Sequence, residues 1–470
     1  MKFLLITSTE REIVKVWVCQ ETSPAGSLLP PVDLASVAAT IKAKGHQVKI
    51  LDLRLYDEPW SKYRKELGEF QPDAIVLNLT TTSATQDYQL IASTPNHVKK
   101  ICFGTHAQEM VDYNFNKGVD FILLGDPEAA IASLISFDMD GRRAHGVMTP
   151  QKNHTTPNYC EDLNTLPKPA LDLLDMKKYH APYIKSGHSF TLLLGGRGCP
   201  YLCTYCLYPV LFGNKYRLRS VSNIADEIEE DYQRYGINEF LFLDATFNSS
   251  SERVNDFCEE LLKRDLKVNW ACNMRVTPIS IQMLKVMKRT GCSRIFFGVE
   301  DQDLLDETKK ATTIHATESA FKMARKVGIL TVAFTMLFPR DDLNESQYSK
   351  RVLSVLNHLK ADAFQCNIAI PFPGTAMYEK EPNETAPIWS RYDPHGELLP
   401  YKANIDLIRV KKKVYWGFLF SSPLLVLKAT FGMNFKSFCQ IVKTFIKQNM
   451  LFPSKPKQKV KKLKAGRSMV

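Results

Sequence analysis

Short apolar runs alternate with amphipathic stretches through most of the chain, and this alternation constrains the fold more than any other feature of the sequence. In the first third, Pro31 precedes and Gly45 ends a predicted helix over residues 32–44. Strands separated by helices of this kind predict a parallel, doubly wound sheet, in which ligands bind beyond the carboxyl ends of the strands. The predicted strands are residues 2–8, 46–53, 73–79, 100–103 and 121–124, and the ends that could face a ligand are residues 7–9, 80–83, 104–106 and 125–128.

A second series of strands and helices follows residue 189. Right-handed crossovers would curve these strands into a parallel partial barrel, with the active site at the carboxyl ends of the strands. The predicted strands are residues 190–194, 239–243, 268–272, 294–298, 330–337 and 363–370, and the helices between them are residues 221–235, 251–264, 280–290, 317–327 and 346–359.

Three cysteines follow the first barrel strand at the spacing C-x3-C-x2-C, namely Cys199, Cys203 and Cys206. Thiolates are soft ligands that suit iron–sulfur clusters or zinc. A structural zinc site takes four ligands, and no fourth ligand lies nearby in the sequence. The spacing therefore favours an iron–sulfur cluster with one open iron. A zinc loop with a distant fourth ligand, or a group of buried thiols, are the alternatives.

Together with Tyr205, which precedes the last cysteine, this loop resembles the cluster loop of the radical SAM superfamily. The resemblance covers about residues 1–380. It implies that Cys199, Cys203 and Cys206 hold a [4Fe–4S] cluster whose fourth iron is chelated by S-adenosylmethionine. One electron from the cluster then cleaves the sulfonium and releases a 5'-deoxyadenosyl radical. The resemblance assigns no catalytic residue.

The same resemblance implies contacts to S-adenosylmethionine at the barrel strand ends, with Tyr205 among the cofactor-binding residues. Asp244 fits an acceptor for the amino group, although Ala245 replaces a second acid that the family often has. Arg275 could pair with the methionyl carboxylate, or it is a plain surface arginine. Glu300, in the family's G-x-E segment, is expected to hydrogen-bond the ribose hydroxyls, with a helix N-terminal acid as the alternative.

Two further strand ends are compared with the family. Residues 337–342 lack the glycines that relatives carry there, which puts a close backbone approach in doubt. Residues 371–378 match P-x-P-G-T-x-x-Y closely, and we expect this turn to close the barrel as a structural element.

The first third resembles the cobalamin-binding domain that precedes many radical SAM cores. The D-x-H-x-x-G signature of a cobalt-binding histidine is absent, and neither His46 nor His106 stands in that context. Cobalamin is therefore expected to bind base-off without a histidine ligand, and His106 is expected to be structural. A vestigial Rossmann-like domain that binds nothing is the alternative. The matching pieces are residues 29–31, 45–48, 104–106, 119–121 and 125–128.

These observations predict an α/β protein: an N-terminal Rossmann-like doubly wound parallel sheet of the cobalamin-binding type, a radical SAM partial (β/α)6 barrel, and a helical basic C-terminal segment. The predicted boundaries are 1–140 for the first domain, 141–188 for a linker, 189–385 for the barrel, 386–454 for the C-terminal segment and 455–470 for a basic disordered tail.

Charge and cysteine content bear on location. The chain carries a net charge of +11, but residues 407–470 hold 15 Lys or Arg and no Asp or Glu, which argues against a nucleic-acid-binding core. Eleven cysteines in a chain with no export signal predict a reducing, cytoplasmic location. An apolar face beside unopposed positive charge fits peripheral contact with anionic lipid at the inner face of the membrane. A helical hairpin packed on the barrel with a solvated tail is the alternative.

The resemblance implies a cobalamin-dependent radical SAM methyltransferase that acts on an unactivated carbon of a small-molecule or lipid-like substrate. Its cofactors would be the [4Fe–4S] cluster, S-adenosylmethionine and cobalamin, and an electron donor such as ferredoxin or flavodoxin would serve it. A radical SAM cyclase or rearrangement enzyme would share every motif, and a non-catalytic corrinoid-binding module would need the cysteines to be idle. A methylthiotransferase is disfavoured, because the N-terminal domain lacks a second cysteine triplet.

Overall fold

The computed structural model describes residues 1–10, 13–22, 26–152, 154–181, 184, 188–300, 302–380, 388–396, 399–401 and 403–421. Two six-stranded sheets organise these residues, one in the N-terminal part and one in the centre of the chain. The predicted α/β architecture is confirmed, while the predicted domain boundaries remain predictions. Residues 422–470, which include about half of the predicted C-terminal segment and all of the predicted tail, lie outside the described residues.

The N-terminal sheet has the strand order β4-β1-β5-β6-β7-β8, and only the last pair is antiparallel. Its central strand β5 is fully buried, and β6 is buried except for Lys99, as helices on both faces of a doubly wound sheet require. The strands of this region are β1 (Lys2–Ile6), β2 (Ile13–Val16), β3 (Cys19–Thr22), β4 (Gln47–Leu51), β5 (Ala74–Asn78), β6 (Lys99–Phe103), β7 (Phe121–Leu123) and β8 (Val147–Met148). The helices are α1 (Val32–Ala43), α2 (Pro59–Phe70), α3 (Ala84–Ser93), α4 (Thr105–Glu109), α5 (Val111–Asn116) and α6 (Pro127–Ser136).

A short antiparallel hairpin, β2–β3, interrupts the alternation directly after β1 and was not predicted. Its residues Val14, Val16 and Trp17 are buried, so the hairpin packs inside the molecule. Four residues per strand give too short a pattern to separate a hairpin from a loop in the sequence.

The central sheet has the order β16-β15-β14-β13-β12-β9, and all five of its strand pairs are parallel. This is the predicted partial barrel, with β9 and β16 at its edges. The strands are β9 (Ser189–Leu193), β10 (Gly196–Arg197), β11 (Arg217–Leu218), β12 (Ile237–Phe242), β13 (Asn269–Met274), β14 (Cys292–Gly298), β15 (Leu330–Leu337) and β16 (Ala363–Ile368). The helices are α7 (Tyr208–Phe212), α8 (Val221–Tyr235), α9 (Ser251–Lys263), α10 (Ile281–Arg289), α11 (Ile314–Val327), α12 (Glu345–Leu359), α13 (Ala376–Lys380) and α14 (Leu407–Ser421).

Local chemistry explains where the barrel helices begin. Each of the five long helices between the barrel strands, α8 to α12, starts at a residue whose side-chain oxygen accepts a backbone N–H of the first turn, which satisfies a donor that the helix itself cannot. These N-cap residues are Ser220, Ser250, Ser280, Thr313 and Asn344.

Short 3₁₀ turns connect the larger elements, at Leu53–Leu55, Leu163–Thr165, Leu171–Leu173, Met176–Lys178, Gln302–Leu304 and Trp389–Arg391. The last of these lies after the barrel and returns to the N-terminal domain, because the Thr82 hydroxyl donates to the Tyr392 carbonyl at 2.8 Å. Helix α14 packs on α12 and β16, where Gly417 allows a close approach to Leu353. Among the helices that the structure describes, none has the length and apolar character that a bilayer crossing requires.

Candidate active site

The loop that carries the three cysteines is fixed by backbone hydrogen bonds at both ends and in its middle. At its start, Cys199 N donates to the carbonyl of Gly213 at 3.1 Å. In its middle, Thr204 N donates to Thr308 O at 3.2 Å, and Met377 N donates to Thr204 O at 2.9 Å. The Met377 bond joins the 371–378 turn to this loop, as a structural role for that turn requires. The loop therefore has one backbone course set by three separate parts of the barrel.

Glycine is required where this loop begins. Gly198 has φ of +85°, and a Cβ atom there would lie 2.0 Å from the carbonyl oxygen of Lys215. Any other residue would combine an unfavourable backbone conformation with a clash against the segment that leads into β11. This position brings the two ends of the cysteine loop together.

Burial dominates the chemistry of the three thiols. It raises the pKa of Cys199 and of Cys203, and it raises the pKa of Cys206 to about 12. The charges of Cys203 and Cys199 raise the pKa of Cys206 further, so the three sulfurs lie within each other's electrostatic field. Neutral buried thiols lose their protons when a metal binds, because the thiolate is the ligand.

The three sulfurs fit a cluster in their donor chemistry. Within the described residues, no three His, Cys, Asp or Glu side chains form a group that could hold a metal ion. In a four-iron cluster each thiolate binds a different iron, so its ligands surround a cube and need not meet at one point. Three thiols on one fixed loop are the donor set that such a cluster with one open iron would use.

Glu300 lies beside this loop with one occupied and one unoccupied carboxylate oxygen. Its Oε1 accepts from the Lys310 ammonium at 2.8 Å and from the Tyr205 hydroxyl at 3.2 Å. Its Oε2 is buried and has no hydrogen-bond partner among the residues that the structure describes. A buried oxygen without a partner is costly, and a ligand hydroxyl would satisfy it. The structure therefore brings Tyr205 and Glu300 together, and their roles in cofactor binding stay predictions.

Asp244 and Arg275 follow the neighbouring strands β12 and β13 but have protein partners. The Asp244 carboxylate is buried and accepts the backbone N–H of Gly195 at 2.8 Å, and burial raises its pKa to about 6. The Arg275 guanidinium lies 3.7 Å from the centre of the Tyr201 ring in the cysteine loop, and it also donates to the Ala311 carbonyl. Arg275 is thus in contact with the cysteine loop, whereas Asp244 supports the glycine segment before that loop.

The N-terminal sheet has its topological switch point between β1 and β5, where ligands bind in doubly wound sheets. Asn78 ends β5, and its side chain donates to Asp33 at 2.6 Å across this point. Three buried acceptor oxygens there have no hydrogen-bond partner within the described part of the chain: Asp33 Oδ1, Asn78 Oδ1 and Asp87 Oδ1. Lys15 of the hairpin is paired with the other oxygen of Asp87 at 2.6 Å. This edge of the sheet therefore offers unsatisfied acceptors to a ligand that carries hydrogen-bond donors.

His106 lies at the same edge and is held by the protein on both sides of its ring. Its Nδ1 lies 3.1 Å from the Thr81 hydroxyl and its Nε2 lies 2.9 Å from the Tyr88 hydroxyl. Trp389 packs against the ring edge-on, with centroids 4.6 Å apart. Burial lowers the pKa of His106 to about 3. Both ring nitrogens are engaged, which agrees with the structural role that the sequence analysis expected.

Two features of these sites were missed from the sequence. Lys310 lies ten residues after Glu300 in a loop, and no periodic pattern connects the two. The residues 125–128, which were expected to face a ligand, instead direct Asp126 and Glu128 toward Arg197 and Arg217 at the base of the cysteine loop. A contact between domains that are distant in sequence leaves no local signal.

A family model described as the radical SAM superfamily matches residues 193–348. An uncharacterized methyltransferase of Pyrococcus horikoshii is 26% identical over 448 residues, which cover 91% of this chain and 94% of that protein. An anaerobic magnesium-protoporphyrin IX monomethyl ester cyclase of Rubrivivax gelatinosus is 27% identical over 325 residues, which cover 65% of this chain and 58% of that protein.

Among solved structures, the fold is similar to that of TsrM from Kitasatospora setae, with a TM-score of 0.62 and 18% sequence identity. The match covers 80% of this chain and 76% of TsrM, so both sheets take part in it. TsrM is a radical S-adenosylmethionine methyltransferase, and its structure contains cobalamin and a [4Fe–4S] cluster. The predicted fold, including the barrel, is confirmed by this likeness and by the family match.

Proposed function

Since residues 193–348 form a radical SAM domain, we propose that this chain cleaves S-adenosylmethionine at a [4Fe–4S] cluster held by Cys199, Cys203 and Cys206. We propose further that it transfers a methyl group to an unactivated carbon, with cobalamin as the methyl carrier. One observation carries the proposal: three cysteines share one fixed loop beside Glu300, and Glu300 Oε2 is buried with no hydrogen-bond partner among the described residues.

The bound groups would supply an electron and a transferable methyl group, and the protein would supply position. Glu300 Oε2 would accept a ribose hydroxyl of the nucleoside, while Lys310 and Tyr205 hold the other oxygen in place. Arg275, beside the cysteine loop, has a cation that can pair with the methionyl carboxylate. Asp244 would act indirectly: its carboxylate accepts the backbone N–H of Gly195 and so fixes the backbone that leads into the cysteine loop.

Cobalamin would bind at the switch point of the N-terminal sheet. The corrin carries amide side chains whose N–H groups are donors, and the unpaired oxygens of Asp33, Asn78 and Asp87 are acceptors. His106 has both ring nitrogens engaged, which supports binding without a histidine ligand to cobalt. Coverage of nearly the whole length by a methyltransferase of Pyrococcus horikoshii supports the same proposal.

A cyclase is the second candidate, favoured by the 27% identity to the Rubrivivax enzyme. That match covers only 65% of this chain and 58% of the cyclase, whereas the methyltransferase match covers more than nine tenths of both chains. Coverage of almost the whole length of both chains therefore favours methyl transfer.

The experiment uses anaerobically reconstituted protein with dithionite as reductant and S-adenosylmethionine labelled in its methyl group. Incubation with a cell extract should yield 5'-deoxyadenosine together with a labelled product. Extract-dependent 5'-deoxyadenosine without labelled product would favour the cyclase, and no 5'-deoxyadenosine would contradict radical chemistry. Replacing dithionite by reduced flavodoxin or ferredoxin tests the proposed electron donors.

We propose peripheral membrane contact through helix α14 as a further part of this function. One face of this helix, with Val410, Val414 and Phe418, is buried against the barrel. The end of the helix presents Phe420, which is 75% exposed and stacks on Trp416 with centroids 5.6 Å apart. An exposed phenylalanine beside a half-buried tryptophan, in a segment with no acidic residues, is consistent with interfacial binding to anionic lipid. Such contact would suit a lipid-like substrate.

Flotation with vesicles tests this contact. The wild type should float with vesicles that contain anionic lipid, and Phe420→Glu should lower its recovery several-fold. Leu262→Glu is the matched control, because Leu262 is also an exposed large apolar residue but lies on helix α9. Equal recovery of the wild type and Phe420→Glu would contradict membrane contact at α14.

A further inference from the structure

Two arginines face each other at the base of the cysteine loop. The short strands β10 and β11 form an antiparallel ribbon that closes the loop, and Arg197 pairs directly with Arg217 in it. Both side chains are nearly fully buried, with relative exposures of 7% and 3%. Two like charges directly opposite each other in a ribbon repel, so this closure requires acidic partners.

The acidic partners come from the other domain. Asp126 and Glu128 follow β7 of the N-terminal sheet at relative exposures of 0% and 1%. Arg197 binds both oxygens of Glu128 at 2.8 Å and reaches Asp126 at 3.1 Å. Arg217 binds Asp126 as well, through both of its terminal nitrogens. Asp126 thus bridges the two arginines that close the loop.

Aromatic side chains enclose this ion cluster. The Arg197 guanidinium lies 4.7 Å from the Trp17 ring and 5.4 Å from the Phe212 ring. These rings exclude water, which strengthens the attraction between the charges and makes an unpaired charge costly. Arg217 also donates to the Cys160 carbonyl at 2.7 Å, so the connector between the domains joins the same cluster.

We propose that Asp126 and Glu128 are positioning residues that fix the cysteine loop to the N-terminal domain, and thereby set the distance between the iron–sulfur cluster and the corrin. The inference rests on the proposed function for the identity of the two groups. The geometry itself is independent of them: the acids follow a strand of the sheet proposed to bind cobalamin, and the arginines flank the loop proposed to bind the cluster. Any reaction that uses both groups on one substrate requires their separation to be constant.

The test compares Glu128→Gln and Arg197→Lys with the wild type. Glutamine keeps the shape of the side chain but removes the charge, and lysine keeps the charge but cannot bind two oxygens in parallel. Glu161→Gln is the matched control, because Glu161 forms an exposed ion pair with Lys215 of the same loop at 2.5 Å. Amide hydrogen exchange of residues 198–216 reports on the loop without either cofactor.

We expect exchange of residues 198–216 to be at least tenfold faster in both variants and unchanged in the control. Both variants should also be measured after reconstitution with cluster and cobalamin. The reduced cluster enhances the spin relaxation of cob(II)alamin, and this enhancement, counted per molecule that carries both groups, should be weaker in the variants. A purely structural role would lower loading or melting temperature and leave that relaxation unchanged.

Wild-type exchange rates in both variants, or unchanged relaxation per loaded molecule, would overturn the inference. Failure of the proposed function gives a different result. A wild type that retains no corrin would refute the proposal that cobalamin is the methyl carrier. If the wild type retains no corrin, faster exchange of residues 198–216 in Glu128→Gln than in the wild type would still support the anchoring role of Glu128. Unchanged exchange in Glu128→Gln would overturn that role.

Discussion

The ammonium of Lys310 lies 2.8 Å from one carboxylate oxygen of Glu300, and the other oxygen is buried with no hydrogen-bond partner in the described ranges of the chain. One carboxylate oxygen of Glu300 therefore contacts the protein, and the other is left for a ligand. Lys310 and Tyr205 fix the orientation of the carboxylate, and the free oxygen is available to a nucleoside hydroxyl. A carboxylate held in this way is pre-organised, because no rotation is required when the ligand binds.

Glu300→Gln tests the free oxygen. We expect the dissociation constant for S-adenosylmethionine to rise roughly tenfold, which corresponds to about 1.4 kcal/mol. The amide oxygen would remain with Lys310 and Tyr205, so an amide N–H would face the ribose hydroxyl as a second donor. Anaerobic equilibrium dialysis on cluster-loaded protein measures the affinity. Unchanged affinity at wild-type iron content would contradict the assignment of Glu300.

Gly298→Ala tests Lys310 without altering either charged residue. A Cβ atom at position 298 would lie 2.3 Å from the Lys310 ammonium nitrogen, so the side chain must move away. We expect weaker binding of S-adenosylmethionine, in the same direction as for Glu300→Gln but smaller.

The control for that variant is Gly68→Ala. Gly68 lies in helix α2, and a Cβ atom there meets nothing within 4 Å. Affinity should be unchanged, and stability should not fall, because alanine is favoured over glycine in helices by up to about 1 kcal/mol. A loss of affinity in Gly68→Ala equal to that in Gly298→Ala would remove the case for Lys310.

His106 should make the protein less stable in acid. Burial lowers its pKa from 6.5 to about 3, so below pH 6.5 the unfolded chain binds a proton that the folded chain does not. Stability is therefore lost as the pH falls from 6.5 toward 3. This single group accounts for a loss of about 2 kcal/mol between pH 7 and pH 5.

Urea unfolding at the two pH values measures that loss. His106→Gln should be less stable than the wild type at pH 7, since it disturbs the contacts to Thr81 and Tyr88, and the difference should shrink by about 2 kcal/mol at pH 5. His97→Gln, at an exposed position, should follow the wild type at both values. A constant difference between His106→Gln and the wild type would show that His106 does not remain neutral in the folded protein.

Local patterns were sufficient to predict the barrel sheet and five of the six strands of the N-terminal sheet, whereas the two-residue strand β8 was not predicted. Helix α1 was predicted over 32–44 and is Val32–Ala43, because Pro31 and Gly45 mark its ends and apolar residues recur between them. The barrel strands and helices alternate as predicted, since each helix carries its own cap and each strand its own apolar run. These signals act over fewer than twenty residues, and the sequence displays them directly.

The contacts between distant parts of the chain were not predictable in this way. Asp126 forms an ion pair with Arg197, which lies 71 positions later in the sequence. The sequence was equally consistent with a role for Asp126 at a strand end that faces a ligand. Lys310 meets Glu300 through a loop without periodicity. The hairpin β2–β3, which brings Lys15 to Asp87, is too short to give a pattern. Each depends on how separate elements pack, which the local sequence does not encode.

The central claim is that Cys199, Cys203 and Cys206 hold a cluster that cleaves S-adenosylmethionine. Iron and sulfide in anaerobically reconstituted protein test it most directly, together with 5'-deoxyadenosine formed after reduction by dithionite. The wild type and Cys160→Ala, which removes a partly exposed cysteine outside the loop, should each hold about four irons and four sulfides per chain and form 5'-deoxyadenosine. Cys203→Ala should lose most of the iron and all of the cleavage. Wild-type iron content and undiminished cleavage in Cys203→Ala would contradict the account.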